Sequence, residues 1–342
     1  DNDGNSYAGL MIQNADETFD LVMVKYDPAG QLERSQTLLQ AGPDGSGRGL
    51  TLALDDVGNL YAAGYFYGAV DLNVSDPGGE LVSRGEDDVF ITKYAADGQL
   101  LWTKHFGGPA DDRVGDMVIS TSGSQTSILV AGTFYDTAIF DSSPIELTST
   151  VGDQRSAFLM KVNDGPTPDV QWVSQLQDTG SAQPNDLLVA DTGDIFVAGQ
   201  FSGRKTTIAG QAMSTGRYYD AFIMKCHDEG NGVTAVWAHQ IAANTHNGTS
   251  SAQALVQTDD GGLYVAGHFR GIDSDFGLAE LTTFSLYENY NYTDGFLVRI
   301  DELPAGDGAN STWVKQLGGY GTLSVSDLEL SYDQQTLAPN LY

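Results

Sequence analysis

The chain has a single cysteine, Cys226, in 342 residues, which excludes an intramolecular disulfide framework. Basic residues are also scarce. Lysine and arginine together number 16 against 46 aspartates and glutamates, a formal charge of −30. Nucleic acids and anionic lipids are held by basic patches, so a surface this acidic repels both. No apolar run approaches the ~20 residues of a membrane-spanning helix. The opening residues DNDGNSYAGL lack the charged and apolar regions of a secretion signal. No convincing helical pattern is present either. There is no G-x-S-x-G elbow, Walker lysine loop, dinucleotide fingerprint or sialidase Asp-box. His105, His227, His239, His246 and His268 are scattered at spacings that fit no metal site.

Glycine, by contrast, is abundant at 41 residues and follows no collagen period, which points to many turns. The turns separate short apolar runs that recur. A strand ending in a basic residue reads DLVMVK (20–25), DVFITK (88–93), SAFLMK (156–161), DAFIMK (220–225) and DGFLVR (294–299). Its basic residues are 68, 68, 64 and 74 positions apart, so five copies account for the chain. Each is preceded by a strand such as GNLYAAGYF (58–66), SILVAGTF (127–134), DIFVAGQF (194–201) or GLYVAGHF (262–269), with GNSYAGLMI (4–12) a degenerate relative. Each is followed by a strand carrying Trp102, Trp172, Trp237 or Trp313, a place that holds Arg34 in the first copy. A fourth run then leads into the next copy: GLTLAL (49–54), GDMVIS (115–120), NDLLVA (185–190), AQALVQ (252–257) and SDLELS (326–331).

Repeated units of four short strands predict an all-β chain: a single β-propeller domain over 1–342, with five four-stranded blades of about 68 residues. Closure by pairing of 326–331 with 4–12 is expected. The resemblance of Asn340-Leu341-Tyr342 to Asn59-Leu60-Tyr61 allows instead a window from a longer array. The string GNLYAAGYF…DVFITKYAADGQLLWTKHFGG resembles the bacterial SBBP-type β-propeller repeat, whose pattern runs through GNxYVAG, DAFVAKYD, G-x-L-x-W and a terminal GG. The resemblance implies a propeller in an exported or cell-surface protein, and brings no catalytic residues with it.

Recurrence makes Asp88, Lys93, Trp102, Lys161, Trp172, Asp220, Lys225, Trp237, Asp294, Arg299 and Trp313 structural, since an active site rarely repeats in every unit. The lysine amines are expected to stay wet at the strand ends. Asp116, Asp186 and Asp327 share one first-strand position, where oxygen ligands suit calcium or another hard cation, no cofactor being required. The bland alternative is that each caps backbone amides of an adjacent connection. Cys226 reads as a core thiol. The connections between second and third strands vary in length and composition, as binding surfaces of repeat proteins do. One of them carries Tyr287, Tyr290 and Tyr292, aromatic rings suited to a sugar or a protein partner. Glycosylation sequons occur at Asn73, Asn247, Asn291 and Asn310, all expected in connections. The function expected is a non-catalytic binding or assembly module at the cell surface, meeting protein or glycan, with self-assembly into a surface fibre as one form. A lectin-like propeller and a propeller glycoside hydrolase are the alternatives.

Overall fold

A computed structural model describes residues 1–342 apart from 2, 73–79, 124, 141–144, 150–154, 209, 216–217, 242–247, 272–273, 284–292, 305, 307, 319–321, 333–338 and 342. Every regular element among the described residues is a β-strand. The chain forms two compact units, Asp1–Asp153 with Phe158–Ser174, and Gln154–Ala157 with Gln175–Tyr342.

The strands assemble into successive antiparallel meanders. The first sheet has Ser6–Gln13, Phe19–Tyr26 and Leu32–Ala41, extended at the Leu32–Ala41 edge by the short strands Ala69–Asp71 and Glu80–Val82. The second has Ser46–Leu54, Leu60–Tyr67, Asp88–Tyr94 and Leu100–Phe106; the third has Asp112–Ser122, Gln125–Phe134, Ser156–Asn163 and Asp169–Gln175. The fourth follows with Gln177–Val189, Ile195–Ile208, Tyr219–Asp228 and Val233–Gln240, and the fifth with Thr249–Gln257, Leu263–Arg270, Asp294–Glu302 and Ala309–Leu317. The turns are capped from the sequence. Asp55 accepts the amides of Val57 (3.2 Å) and Asn59 (2.8 Å) and the Asn59 side chain (2.7 Å). Asp1 repeats this with Asp3 (3.1 Å) and Asn5 (2.9 Å for both donors), so DNDGNSY and DDVGNLY fold alike. Such Asx turns satisfy amides that the hairpin leaves free.

Within each unit, neighbouring sheets bury their faces against each other. One core joins the second and third sheets through Tyr61, Ile91, Trp102, Phe134, Phe158 and Met160; another joins the fourth and fifth through Phe196, Ile223, Trp237, Phe269 and Phe296. The VAG glycines follow from this packing. A β-carbon on Gly64, Gly132 or Gly267 would stand 2.8, 2.6 or 2.7 Å from the ring of Phe90, Phe158 or Phe296, the third-strand phenylalanine lying across it.

The variable connections contain a common element that the sequence did not announce. Each folds back as a short side hairpin: Ala69–Asp71 with Glu80–Val82, Thr137–Ile139 with Glu146–Thr148, residues 206–208 with Gln211–Met213, and Ser274–Asp275 with Glu280–Leu281. The hairpins of the second, third and fifth sheets bring Leu72, Phe140 and Phe276 into the buried cores, and Ile208 of the fourth is also fully buried. Phe140 meets Phe158 at 5.0 Å between ring centres, and Phe276 meets Phe296 at 5.2 Å. Within the first unit the hairpins also reach the preceding sheet, where Ala41 pairs with Val70 and Gly107 bridges Ile139. The bases of these connections are therefore part of the scaffold.

The C-terminal run expected to close the propeller makes a local hairpin in the second unit. Leu330–Tyr332, the end of the C-terminal first-strand run, pairs with Pro339–Leu341, placing Leu330 opposite Leu341. Segment 326–329 is outside any strand, and within the first unit Ser6–Gln13 pairs with Phe19–Tyr26. A local hairpin closes a short loop, and its entropic cost is lower than that of joining distant ends.

Candidate functional site

Lys93 sits between two aromatic neighbours in register, Tyr61 on the second strand and Trp102 on the fourth. Its Nζ lies 4.8 Å from the Tyr61 ring centre and donates to Asp164 Oδ2 at 2.6 Å. The Tyr61 hydroxyl donates to the same oxygen at 2.9 Å and the Trp102 indole to Asp164 Oδ1 at 3.1 Å. One carboxylate of the third sheet thus collects three donors of the second. The arrangement recurs with Lys225, which donates to Glu302 Oε1 at 2.7 Å and lies 2.9 Å from Asp194 Oδ2, while Trp237 donates to Glu302 at 3.3 Å.

The amines of Lys93 and Lys225 are consequently buried, which corrects the expectation of wet strand ends. Burial alone would lower the Lys225 pKa, but hydrogen bonds to Asp194 and Glu302 raise it above the usual value. Tyr61 is raised by burial first and then by Asp164.

Asp164 and Glu302 each follow the basic residue of their own strand by three positions, a signal present in the sequence but readable only once sheet adjacency is known. The same position after Lys93 is Ala96, and there the Trp is replaced by Arg34, whose Nη1 donates to the Ala96 carbonyl at 3.1 Å. Lys25 turns to Glu33 at 2.6 Å. At the far end Arg299 pairs with Asp260 (2.8 Å) and Asp301 (2.9 Å), beside Tyr264, whose ring stands 5.5 Å from that of Trp313. Trp172 is buried in the third sheet, where Lys161 occupies the repeated basic position.

A second repeated pair lies at the other end of the third strand. Asp220 accepts from Gln240 at 2.8 Å, Asp294 from Gln316 at 2.6 Å, and Ser156 from Gln175 at 3.5 Å. At Asp88 the partner is instead His105, at 2.5 Å. The terminal glycines fit these acids: a β-carbon on Gly107 or Gly318 would lie 2.5 Å from Asp88 Cγ or 2.4 Å from Asp294 Oδ1.

The three aligned aspartates have different partners. Asp116 accepts from the Thr51 hydroxyl at 3.1 Å, and Asp186 accepts the Leu255 amide at 2.5 Å. Asp327 is exposed and accepts the amide of Leu328 at 2.7 Å. Among the described residues no group of three His, Cys, Asp or Glu side chains is placed to hold a metal ion. Tyr287, Tyr290, Tyr292, Asn73, Asn247 and Asn291 lie outside the described residues. Asn310 is exposed within the strand Ala309–Leu317, not in a connection. Cys226 is buried, and burial pushes its thiol up to about 12.

One set of residues that does not repeat lies in the second unit, on the first and second strands of the fourth and fifth sheets. Gln200 donates to Gln183 (3.2 Å), Gln183 to Asn185 (3.2 Å), and Asn185 to Ser251 (3.0 Å) and the Ala252 carbonyl (2.7 Å). Gln253 donates to Ser251 at 2.7 Å, and Arg155 also reaches Gln183. His268 stands opposite Ser251, and burial lowers its pKa. This is a half-buried set of amides, a hydroxyl and an imidazole, joined by the Arg155 guanidinium. At the first-to-second-strand turns of the same sheets lies a cleft of about 330 Å³, floored by Leu188, Val189 and Ala190 and rimmed by Asp191, Thr192 and Asp259. Sequence reasoning missed the amide set because its members are spread over 70 positions at no motif spacing, from Gln183 to Gln253.

No family model matches the chain, and no curated protein does. Among solved structures it is similar to a protein of unknown function from Dyadobacter fermentans, at 15% identity over 92% of this chain and 91% of that one, with a TM-score of 0.40. A Lactobacillus plantarum protein is similar at 13% identity over 92% and 99%, with a TM-score of 0.38. A mutant of the Synechocystis apocarotenoid oxygenase is similar at 9% identity over 98% and 82%, with a TM-score of 0.34. Likenesses this distant leave the family of the chain unassigned and carry no functional argument.

Proposed function

We propose that the chain is a five-bladed β-propeller of the SBBP-type repeat class, acting at the cell surface as a non-catalytic binding or assembly module. The first blade would be three-stranded and the other four would be the four-stranded meanders. The observation that carries this reading is the use made of the repeated charges. Lys93 and Trp102 donate to Asp164 of the next sheet, and Lys225 and Trp237 donate in the same way to Glu302. The repeated polar residues thereby serve the scaffold, and recognition falls to the residues that differ between repeats. The strong negative charge favours solubility and disfavours anionic partners.

A lectin-like form of this reading is favoured by the amide set around Ser251, since neutral donors and acceptors on a rigid sheet suit sugar hydroxyls. A glycan array probed with and without calcium, alongside a size measurement, tests both forms. Glycan binding lost in Gln183→Ala and Gln253→Ala, with folding unchanged, supports the lectin. Binding to no glycan together with capture of a surface protein supports the assembly module. Turnover of any glycan would overturn the non-catalytic reading.

A further inference from the structure

The seam between the second and third sheets departs from the other seams at two places. Where the first strands of the second, fourth and fifth sheets place Gly47, Ala182 and Ser250 opposite the second-strand phenylalanine, the third places Asp112 opposite Phe134. Where three other sheets place Gln175, Gln240 and Gln316, the second places His105. Two titratable groups therefore replace neutral ones at one seam.

Asp112 and Asp88 are 2% and 0% exposed. Asp112 Oδ2 accepts the Gly108 amide at 2.7 Å; Asp88 Oδ2 accepts the Arg84 amide at 2.9 Å and faces His105 Nε2 at 2.5 Å. Oδ1 of each is buried without a hydrogen-bond partner. Charged groups approach from every packed element. Arg84 donates its guanidinium to the carbonyls of Gly107 (3.0 Å) and Ile139 (3.3 Å), and Arg113 pairs with Asp87 (2.7 Å) and Asp111 (3.1 Å). Both arginines thus have partners other than Asp112. A buried carboxylate with an unsatisfied oxygen beside a second carboxylate is resolved most simply by a proton.

We propose that this seam is an acid-tightened latch, in which Asp112 is the neutral acid in the closed state and its ionisation loosens the hold of the third sheet and its side hairpin on the second. Burial first, then the charges of Asp88 and Asp111, push Asp112 up to about 8, against the hydrogen bond from Gly108 and the charge of Arg84. A carboxyl raised in the closed state favours closing at low pH. Opening restores the ordinary value of 3.8, so the opening equilibrium rises with pH between 3.8 and about 8 and levels off above.

Amide hydrogen exchange on the 342-residue chain tests it, with the intrinsic pH dependence divided out. The amides of Gly108, Asp112 and Ile139, which donate to Asp112 Oδ2, the Asp87 carbonyl and the Gly107 carbonyl, report the seam. Their protection is expected to fall about tenfold per pH unit from pH 5 to 7, and to be flat in Asp112→Asn, which keeps the acceptor for Gly108. A slope kept in Asp112→Asn, or no slope in the unmutated chain, overturns the latch. His105→Gln, which installs the residue of the other seams, is expected to retain the slope; its loss there would assign the titration to the histidine and overturn the proposal. Should Asp112→Asn not fold, a carbon-13 carboxyl titration of the unmutated chain decides: a midpoint within a unit of 8 supports the latch, and one near 3.8 refutes it.

Discussion

Replacing Asp164 by Ala should be among the most damaging single changes in the first unit, although Asp164 lies in a turn. Its carboxylate takes Lys93 at 2.6 Å, Tyr61 at 2.9 Å and Trp102 at 3.1 Å. The side chains of Lys93 and Asp164 are only 11% and 12% exposed, so solvent does little to screen the pair. Removing the acid leaves a buried ammonium with Asp55 at 3.8 Å as its nearest remaining carboxylate, and leaves a hydroxyl and an indole without their shared acceptor. Breaking a buried pair from one side costs about 3–5 kcal/mol. The two neutral donors act through the same group, so their losses do not simply add. At ~2–4 °C per kcal/mol, the transition of the first unit should drop by roughly 6–20 °C.

Calorimetry and urea titration of Asp164→Ala, Asp164→Glu and the pair Lys93→Met with Asp164→Leu check this. Glu302 performs the same task in the second unit, so Asp164→Glu should lose less than about 1.5 kcal/mol. The double apolar replacement should recover most of the loss, because neither charge is left buried alone. A loss below about 1 kcal/mol for Asp164→Ala, the worth of an exposed surface pair, would refute the description of the node.

The first sheet offers the reverse experiment. Arg34→Trp alone should gain nothing, since Ala96 offers no carboxylate; with Ala96→Asp added, a favourable coupling of about 1–2 kcal/mol is expected in a double-mutant cycle. Phe276→Ala removes the anchor of the fifth sheet's side hairpin and should cost about 3–5 kcal/mol in urea unfolding, although it lies in a connection of variable sequence. Burial alone would raise Asp194, but hydrogen bonds from Lys225 and Thr192 and the charges of Lys225 and His227 leave it below 3.8. Its contribution is therefore present above pH 3.8 and lost as the pH falls through the depressed value, and Asp194→Asn should flatten that part of the acid-unfolding curve. Cys226, buried and raised, should react with a thiol reagent at pH 8 only after unfolding.

The sequence by itself determined the main strands of the successive meanders. Alternating apolar residues between Asp, Asn and Gly turns leave the backbone few choices, and a pattern repeated five times averages out local ambiguity. It also marked Asp88, Lys93, Trp102 and their relatives as scaffold, and singled out Arg34 as a departure. It did not show why Arg34 is tolerated, because the compensating residue, Ala96, is 62 positions away and next to it only in the folded chain. The side hairpins escaped notice for a related reason: Leu72, Phe140 and Phe276 are single apolar anchors in polar connections, and one residue sets no period. Asp111 and Asp112 are adjacent acids in the sequence, yet the fold separates them, leaving Asp111 toward Arg113 and burying Asp112 beside Asp88. Burial and charge proximity are properties of sheet-on-sheet contact. Only the tertiary structure decides which carboxylates meet a cation, which meet another carboxylate, and which of them must keep a proton.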